Sequence, residues 1–166
     1  MRSTRKILIT AACLASGTVM AQGAPGLVSE RSISLTSAMT LATAALERCR
    51  ADGYKVSITV LNRHARTAVV LSDDGVNPHT IENSLRKAYT AFTTRAPSAD
   101  MAKRVQPNLG GFMQLEKITT IEGGLPIFAG NKELVGAVGI SGAPGGEKDA
   151  ACAQTGIDKI AVSLGS

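Results

Sequence analysis

Two histidines, His64 and His79, are the side chains best suited to hold iron or a related metal, because neutral imidazole is the commonest ligand of that kind. Both fall at predicted turns, and no neighbouring residue completes a metal-site spacing, so a solvated imidazole is the competing account. Met101 and Met113 offer thioethers that could serve as axial ligands, against the default of packing. Lys87 falls in a helical pattern and is expected to be solvated unless the fold buries it. Asp73-Asp74 before Gly75 could bind a cation. Two adjacent carboxylates suit a turn better than an acid–base pair, however. Glycines between Gly139 and Gly146 could aim backbone N–H groups at an anion where the last helix starts. The simpler account of them is a loop that lets strand and helix pack closely. The sequence contains no Cys-x-x-Cys, no His-Glu-x-x-His, no phosphate loop with its lysine and no Gly-x-Ser-x-Gly elbow. On these residues alone, catalysis has no assigned site.

The elements that must position these groups follow from periodicity. Residues Leu35 to Asp52 carry apolar side chains at helical spacing, closed by Gly53. Lys55 to Leu61 alternates as a half-buried strand. The turn Asn62-Arg63-His64-Ala65 leads to a second strand over Thr67 to Leu71, with Ala65 where a turn favours glycine. A second helix starts with Thr80 as N-cap and turns Ile81, Leu85, Ala88 and Phe92 to one face. Pro97 ends it, and Ser98 caps a short helix through Met101 to Arg104. Pro107 to Gly111 reads as loop. Phe112 to Ile121 is compatible with a short helix followed by a strand. Gly123 to Phe128 leads into a turn at Gly130-Asn131, and Glu133 to Ser141 reads as a strand. A final helix carries Asp149, Cys152, Ala153, Ile157, Ile160 and Leu164, with Gly156 as a close-packing point. Hairpin-joined strands with helices before and after them predict an α+β fold, a central antiparallel β-sheet flanked by helices.

The amino terminus predicts export. Arg2, Arg5 and Lys6 precede an apolar run from Ile7 to Val19, and Val19-Met20-Ala21 places small residues at a cleavage site. The run is too short to span a bilayer. Residues 1–21 are therefore expected to be a signal peptide, with acylation of Cys13 as the alternative. Residues 22–34 form an extended mature terminus and 35–166 the domain. Removing 21 of 166 residues leaves 145, the size of one domain. Three of the 18 basic residues go with the signal, leaving 15 against 13 acidic ones. That near-neutral balance, with no basic stripe interleaved with aromatics, argues against nucleic acid as a partner. No later segment is long enough to span a membrane, and a periplasmic or secreted location is expected. Cys49 and Cys152 remain after cleavage, as a disulfide or as two buried thiols.

The chain resembles the GlcG/HbpS-type haem-binding family, whose relatives include the C-terminal domain of a cobalamin adenosyltransferase. The residues that carry the likeness are Ala51-Asp52-Gly53-Tyr54, the strand Val56 to Leu61, Asp73-Asp74-Gly75 and Lys87-Ala88-Tyr89-Thr90-Ala91. Gly123-Gly124-Leu125-Pro126-Ile127 and Val135 to Gly142 complete the ordered set. The likeness runs from about Leu35 to Ser166. It implies a profilin-like fold, homo-oligomers and haem as the cofactor. Threonine and histidine coordination have both been proposed in relatives, so the resemblance points to His79 first, with His64 as the alternative iron ligand. It adds Lys87 and Thr90 from the matching Lys-Ala-x-Thr-Ala segment, and Tyr89 and Phe92 as the apolar wall a porphyrin needs.

The chain departs from the family at Asn62-Arg63-His64-Ala65, where relatives usually carry an aspartate and a glycine. In a profilin-like fold the first and last helices can lie side by side, so the resemblance implies a Cys49–Cys152 disulfide. The function expected is an exported haem-binding protein acting as carrier, buffer or sensor accessory, with no turnover required. The alternatives are a haem-degrading enzyme and a signalling or structural module that binds a protein partner without a chromophore.

Overall fold

The computed structural model describes residues 26–108 and 110–165, so the expected signal segment 1–21 lies outside the described residues. Helix α1 spans Leu35–Ala51 and is capped by Ser34, whose hydroxyl accepts from the Ser37 N–H at 3.1 Å. Strands β1 (Ser57–Asn62) and β2 (Thr67–Ser72) form the hairpin. Helices α2 (His79–Thr94) and α3 (Ala99–Asn108) follow, then a 3₁₀ turn over Gly110–Gln114. Strands β3 (Gly124–Phe128) and β4 (Leu134–Ser141) and helix α4 (Gly146–Ile160) complete the chain, with a last 3₁₀ turn over Ala161–Leu164. The sheet runs β2-β1-β4-β3 and every pairing in it is antiparallel. The expected α+β architecture is present.

The main core lies between the sheet and the α1/α4 pair. Alternation turns Ile58 and Val60 of β1 and Val138 and Ile140 of β4 to this side, where they meet Leu41, Ala42, Ala45 and Ala153. Gly156 lets α4 lie directly on α1: a β-carbon there would sit 2.6 Å from the Leu41 carbonyl oxygen. The Cys49–Cys152 disulfide fastens the same two helices, with α-carbons 5.6 Å apart and both residues fully buried. Ahead of α1, Ile33 enters the core, its N–H donating to the Val135 carbonyl at 3.0 Å.

Helix α2 covers the other face of the sheet, and its orientation differs from the expected one. The residues it buries are Thr80, Ser84, Lys87, Ala88, Thr90 and Ala91, while Ile81 is 46% exposed and Leu85 and Phe92 are half-buried. The cause is the surface it meets. Ser57 and Thr59 of β1 present hydroxyls that bond Thr80 at 2.8 Å and Ser84 at 2.7 Å. Gly139 of β4 leaves room for the α2 backbone itself, since a β-carbon there would collide with the Ser84 carbonyl. A polar strand face and a glycine select the small polar side of the helix. Thr80 is accordingly no N-cap. Pro78 holds that position, and the Thr80 hydroxyl donates to the Asn77 carbonyl at 2.7 Å.

Two further expectations change. α3 continues through Pro107 to Asn108 where loop is predicted, and the strand admitted before Ile121 does not form. Residues 117–122 are held instead by side chains of α2 and by Ser98, which does not cap its own helix. Arg86 donates to the Ile118 carbonyl at 3.1 Å, Thr90 accepts from the Thr119 N–H at 3.0 Å, and Ser98 donates to the Ile121 carbonyl at 2.8 Å. The site depends on this segment.

Candidate functional site

Beneath the middle of α2, an ion pair lies inside the protein. Lys87 is 2% exposed, and its ammonium donates to Asp149 Oδ2 at 2.7 Å and to the Ile140 carbonyl at 2.8 Å. The other carboxylate oxygen of Asp149 accepts from the Ala143 N–H at 3.0 Å. The glycine-rich loop therefore does present an N–H group to an anion, and the anion is the protein's own carboxylate. Burial pushes the Asp149 carboxyl above its ordinary range, with the Lys87 ammonium and the backbone N–H groups pulling the other way. Lys87, expected in solvent, is a core residue. Its partner was visible only as a carboxylate on the inward stripe of the last predicted helix.

Above the pair lies a cleft of about 320 Å³, with Asn77, His79, Asn83, Ile121 and Ser141 among its walls. Asn83 spans from α2 to β4, its amide donating to the Ser141 hydroxyl at 2.9 Å. A second, adjoining cleft of about 280 Å³ is lined by His79, Glu82, Asn83, Arg86 and Ile121. His79, Glu82, Asn83 and Arg86 stand at positions i, i+3, i+4 and i+7 of α2 and so share one face. His79 is exposed, and Ile121, 49% exposed, is the apolar residue they share. Among the described residues Arg86 has no carboxylate within ion-pair distance. Sequence reasoning missed Arg86 and Ile121, because only the bracing of residues 117–122 brings the isoleucine beside the helix.

The other expected site residues do not gather around His79. Thr90 is buried, donating to the Arg86 carbonyl at 2.8 Å and accepting from Thr119, so its hydroxyl is committed to the fold. Tyr89 faces the Lys117 ammonium, 5.5 Å from its ring centre. Phe92 follows His79 by thirteen residues, about 20 Å along the axis and well round the helix. Tyr89 and Phe92 line neither His79 cleft in this chain. Lys87 reaches the floor of the first cleft only from within its ion pair.

His64 stands at the far end of β1, on the hairpin turn, with its ring 3.9 Å from Glu30. The two histidines cannot meet on one iron. Met101 is buried in the core and unavailable as an axial ligand, and Met113 is half-buried in the first 3₁₀ turn. Asp73 pairs with Arg50 through two hydrogen bonds of 3.1 and 2.7 Å, and Gly75 takes φ +71°, so this acidic segment is a turn. Among the described residues no three His, Cys, Asp or Glu side chains cluster as a metal site. The side chains near His79 are one carboxylate (Glu82), one amide (Asn83), one guanidinium (Arg86) and one apolar residue (Ile121), with the imidazole as the one neutral nitrogen ligand. That set fits a group whose metal already has most of its ligands and which carries carboxylates, as haem does.

Residues 33–158 match the family described as haem degrading protein HbpS-like. The chain belongs to the HbpS-like family. This HbpS-like chain is 30% identical over 130 residues to an uncharacterized 15.0 kDa protein of Citrobacter freundii, covering 76% of this chain and 90% of that one. Among solved structures it is similar to HbpS at 32% identity and a TM-score of 0.78, covering 84% of this chain and 97% of that one. A complex of PduOC with heme matches at 27% identity and a TM-score of 0.72, covering 78% and 95%. The ORFY protein of Klebsiella pneumoniae matches at 26% identity and a TM-score of 0.76, covering 83% and 97%.

Proposed function

We propose that this HbpS-like protein is an exported haem-binding protein that acts as a carrier, buffer or sensor accessory, with His79 as the first iron ligand. The observation that carries the reading is the placement of an exposed imidazole, an arginine without a carboxylate partner and an exposed isoleucine around one cleft. Membership of a family described by haem, and likeness to a heme complex, give that cleft its ligand class. Export is supported by the basic and apolar amino-terminal segments and by the buried disulfide, a bond that persists in oxidising compartments. The cleft is shallow for a porphyrin. A second copy of the chain, in a homo-oligomer, would supply the missing cover.

Titration of the purified chain with haem, followed at the Soret band, tests the reading. Saturable one-to-one binding is expected, weakened at least tenfold by His79→Ala, about 1.4 kcal/mol, and unchanged by His64→Ala. Weak, unsaturable binding that neither substitution alters would sink it and favour a protein-binding module. The family description supports a second reading, haem degradation. Repeated turnover of haem with a defined reductant would establish that activity, whereas stoichiometric bleaching by peroxide would not.

A further inference from the structure

Arg86 stands out among the cations of α2. Its side chain is half-buried, one terminal nitrogen holds the Ile118 carbonyl at 3.1 Å, and its Nε is shut from solvent with no acceptor. Among the described residues, Arg86 shares with Arg66, Arg95 and Arg104 the lack of a paired carboxylate, but of these four it is the one that lines the His79 cleft. A guanidinium presents donors in a flat fork that matches a carboxylate. With Nε shut from solvent and one terminal nitrogen held by the Ile118 carbonyl, the donors left for an outside acceptor are those of the terminal nitrogens beside the cleft.

The spacing to His79 adds a second constraint. The two residues share a helix face and are separated by seven residues, a rise of about 10.5 Å. Haem carries its iron at the centre and its two propionates together on one edge. A ring held by His79 along the helix surface would carry its propionates about two helical turns from the imidazole. Arg86 stands at that reach. Glu82, the carboxylate between them on the same face, would repel a propionate turned towards it and favours the arginine end.

Resting on the haem reading above, we infer that Arg86 is the propionate anchor of this site, and that the chain selects porphyrins with free carboxylates. Lys87 takes no part, since its charge is already matched by Asp149.

The test compares haem with haem dimethyl ester, which keeps the iron and the ring but removes both negative charges. Wild-type protein, Arg86→Gln and Arg86→Lys are titrated with each. Wild type is expected to bind the free acid at least tenfold more tightly than the ester. Arg86→Gln is expected to abolish the preference for the free acid, leaving the two porphyrins equal in affinity, with the position of the Soret band unchanged. Arg86→Lys is expected to keep a part of the discrimination. Equal affinity of wild type for both porphyrins overturns the inference and leaves the haem reading standing. Parallel loss of both porphyrins in Arg86→Gln also overturns it, because that pattern marks a bracing role for the Ile118 segment. Should Arg86→Gln fail to fold, Arg86→Lys decides: the same acid-to-ester ratio as wild type, with lower affinity for both, overturns the assignment. Absence of saturable binding of either porphyrin to wild type fails the haem reading itself, a different result from all of these.

Discussion

Lys87 Nζ and Asp149 Oδ2 lie 2.7 Å apart with their side chains 2% and 3% exposed, joining the middle of α2 to the first turn of α4 across the end of β4. Removing one partner of such a pair leaves the other charge buried alone, which typically costs ~3–5 kcal/mol. Lys87→Met is expected to destabilise the chain by about that amount. Asp149→Asn should cost less, because the amide oxygen can still accept from the ammonium or from Ala143. The double variant Lys87→Met/Asp149→Leu should recover most of the loss. Urea unfolding of the three variants measures this, and a double variant no more stable than Lys87→Met would contradict it.

The disulfide closes a segment of 103 residues between Cys49 and Cys152. In the chain-entropy account a loop of that length contributes ~4.7 kcal/mol, and measured values usually fall lower. Reduction, or Cys49→Ala with Cys152→Ala, is expected to lower stability by about 2–4 kcal/mol. Masses of the denatured protein with and without reductant, after alkylation, check the bond. Two alkylated thiols in both samples would refute it.

Much of the fold is legible in the sequence, because on most segments one physical signal dominates. Val56, Ile58 and Val60 alternate with Ser57 and Thr59, which marks β1 as a strand with one apolar face, but the expected half-burial is exceeded because α2 covers Ser57 and Thr59 as well. The helical stripe Ala38, Leu41, Ala42, Ala45, Cys49 marks the buried face of α1. On α2 the same reasoning fails, because it takes apolar residues as inward. The inward face is decided by Ser57, Thr59 and Gly139 on the sheet, residues distant in sequence whose hydroxyls and missing β-carbon suit Thr80 and Ser84. The candidate site inherits that difficulty. His79 is found by residue type, whereas Arg86, Ile121 and the partnership of Asp149 exist only through tertiary contacts.

At the hairpin, Ala65 adopts φ +55°, a left-handed conformation that disfavours any residue with a β-carbon. Asn62 compensates in part, its side-chain oxygen accepting from the His64 and Arg66 N–H groups at 2.9 and 3.1 Å. Ala65→Gly relieves the steric cost and adds disorder to the unfolded chain, effects that oppose each other. The first is the larger for a left-handed residue, so a gain of up to ~1 kcal/mol is expected. Thermal unfolding of the single variant measures it, and a lowered midpoint would show that the turn is not strained at this residue.

The acid limb of stability should depend on Asp73 and Glu133. The Arg50 guanidinium bonded to Asp73 and the Arg31 guanidinium bonded to Glu133 hold both carboxyls below their ordinary values of 3.8 and 4.5. A carboxyl that binds protons less readily when folded stabilises the fold fully above its unfolded pKa. That contribution fades as pH falls through the lowered folded value. Asp149 acts in the opposite sense, because burial raises its carboxyl and a raised carboxyl favours the folded state on the acid side. Unfolding midpoints measured from pH 7 down to pH 3 should therefore fall most steeply below about pH 4, where the two surface pairs are lost. Asp73→Asn is expected to lower the midpoint at pH 7 and to shrink the drop in acid. High salt should weaken both effects, since these pairs are open to solvent on the arginine side. If Asp73→Asn shows the same pH 7 to pH 3 difference as wild type, the Arg50–Asp73 pair contributes nothing to acid sensitivity. The drop would then belong to groups elsewhere in the chain.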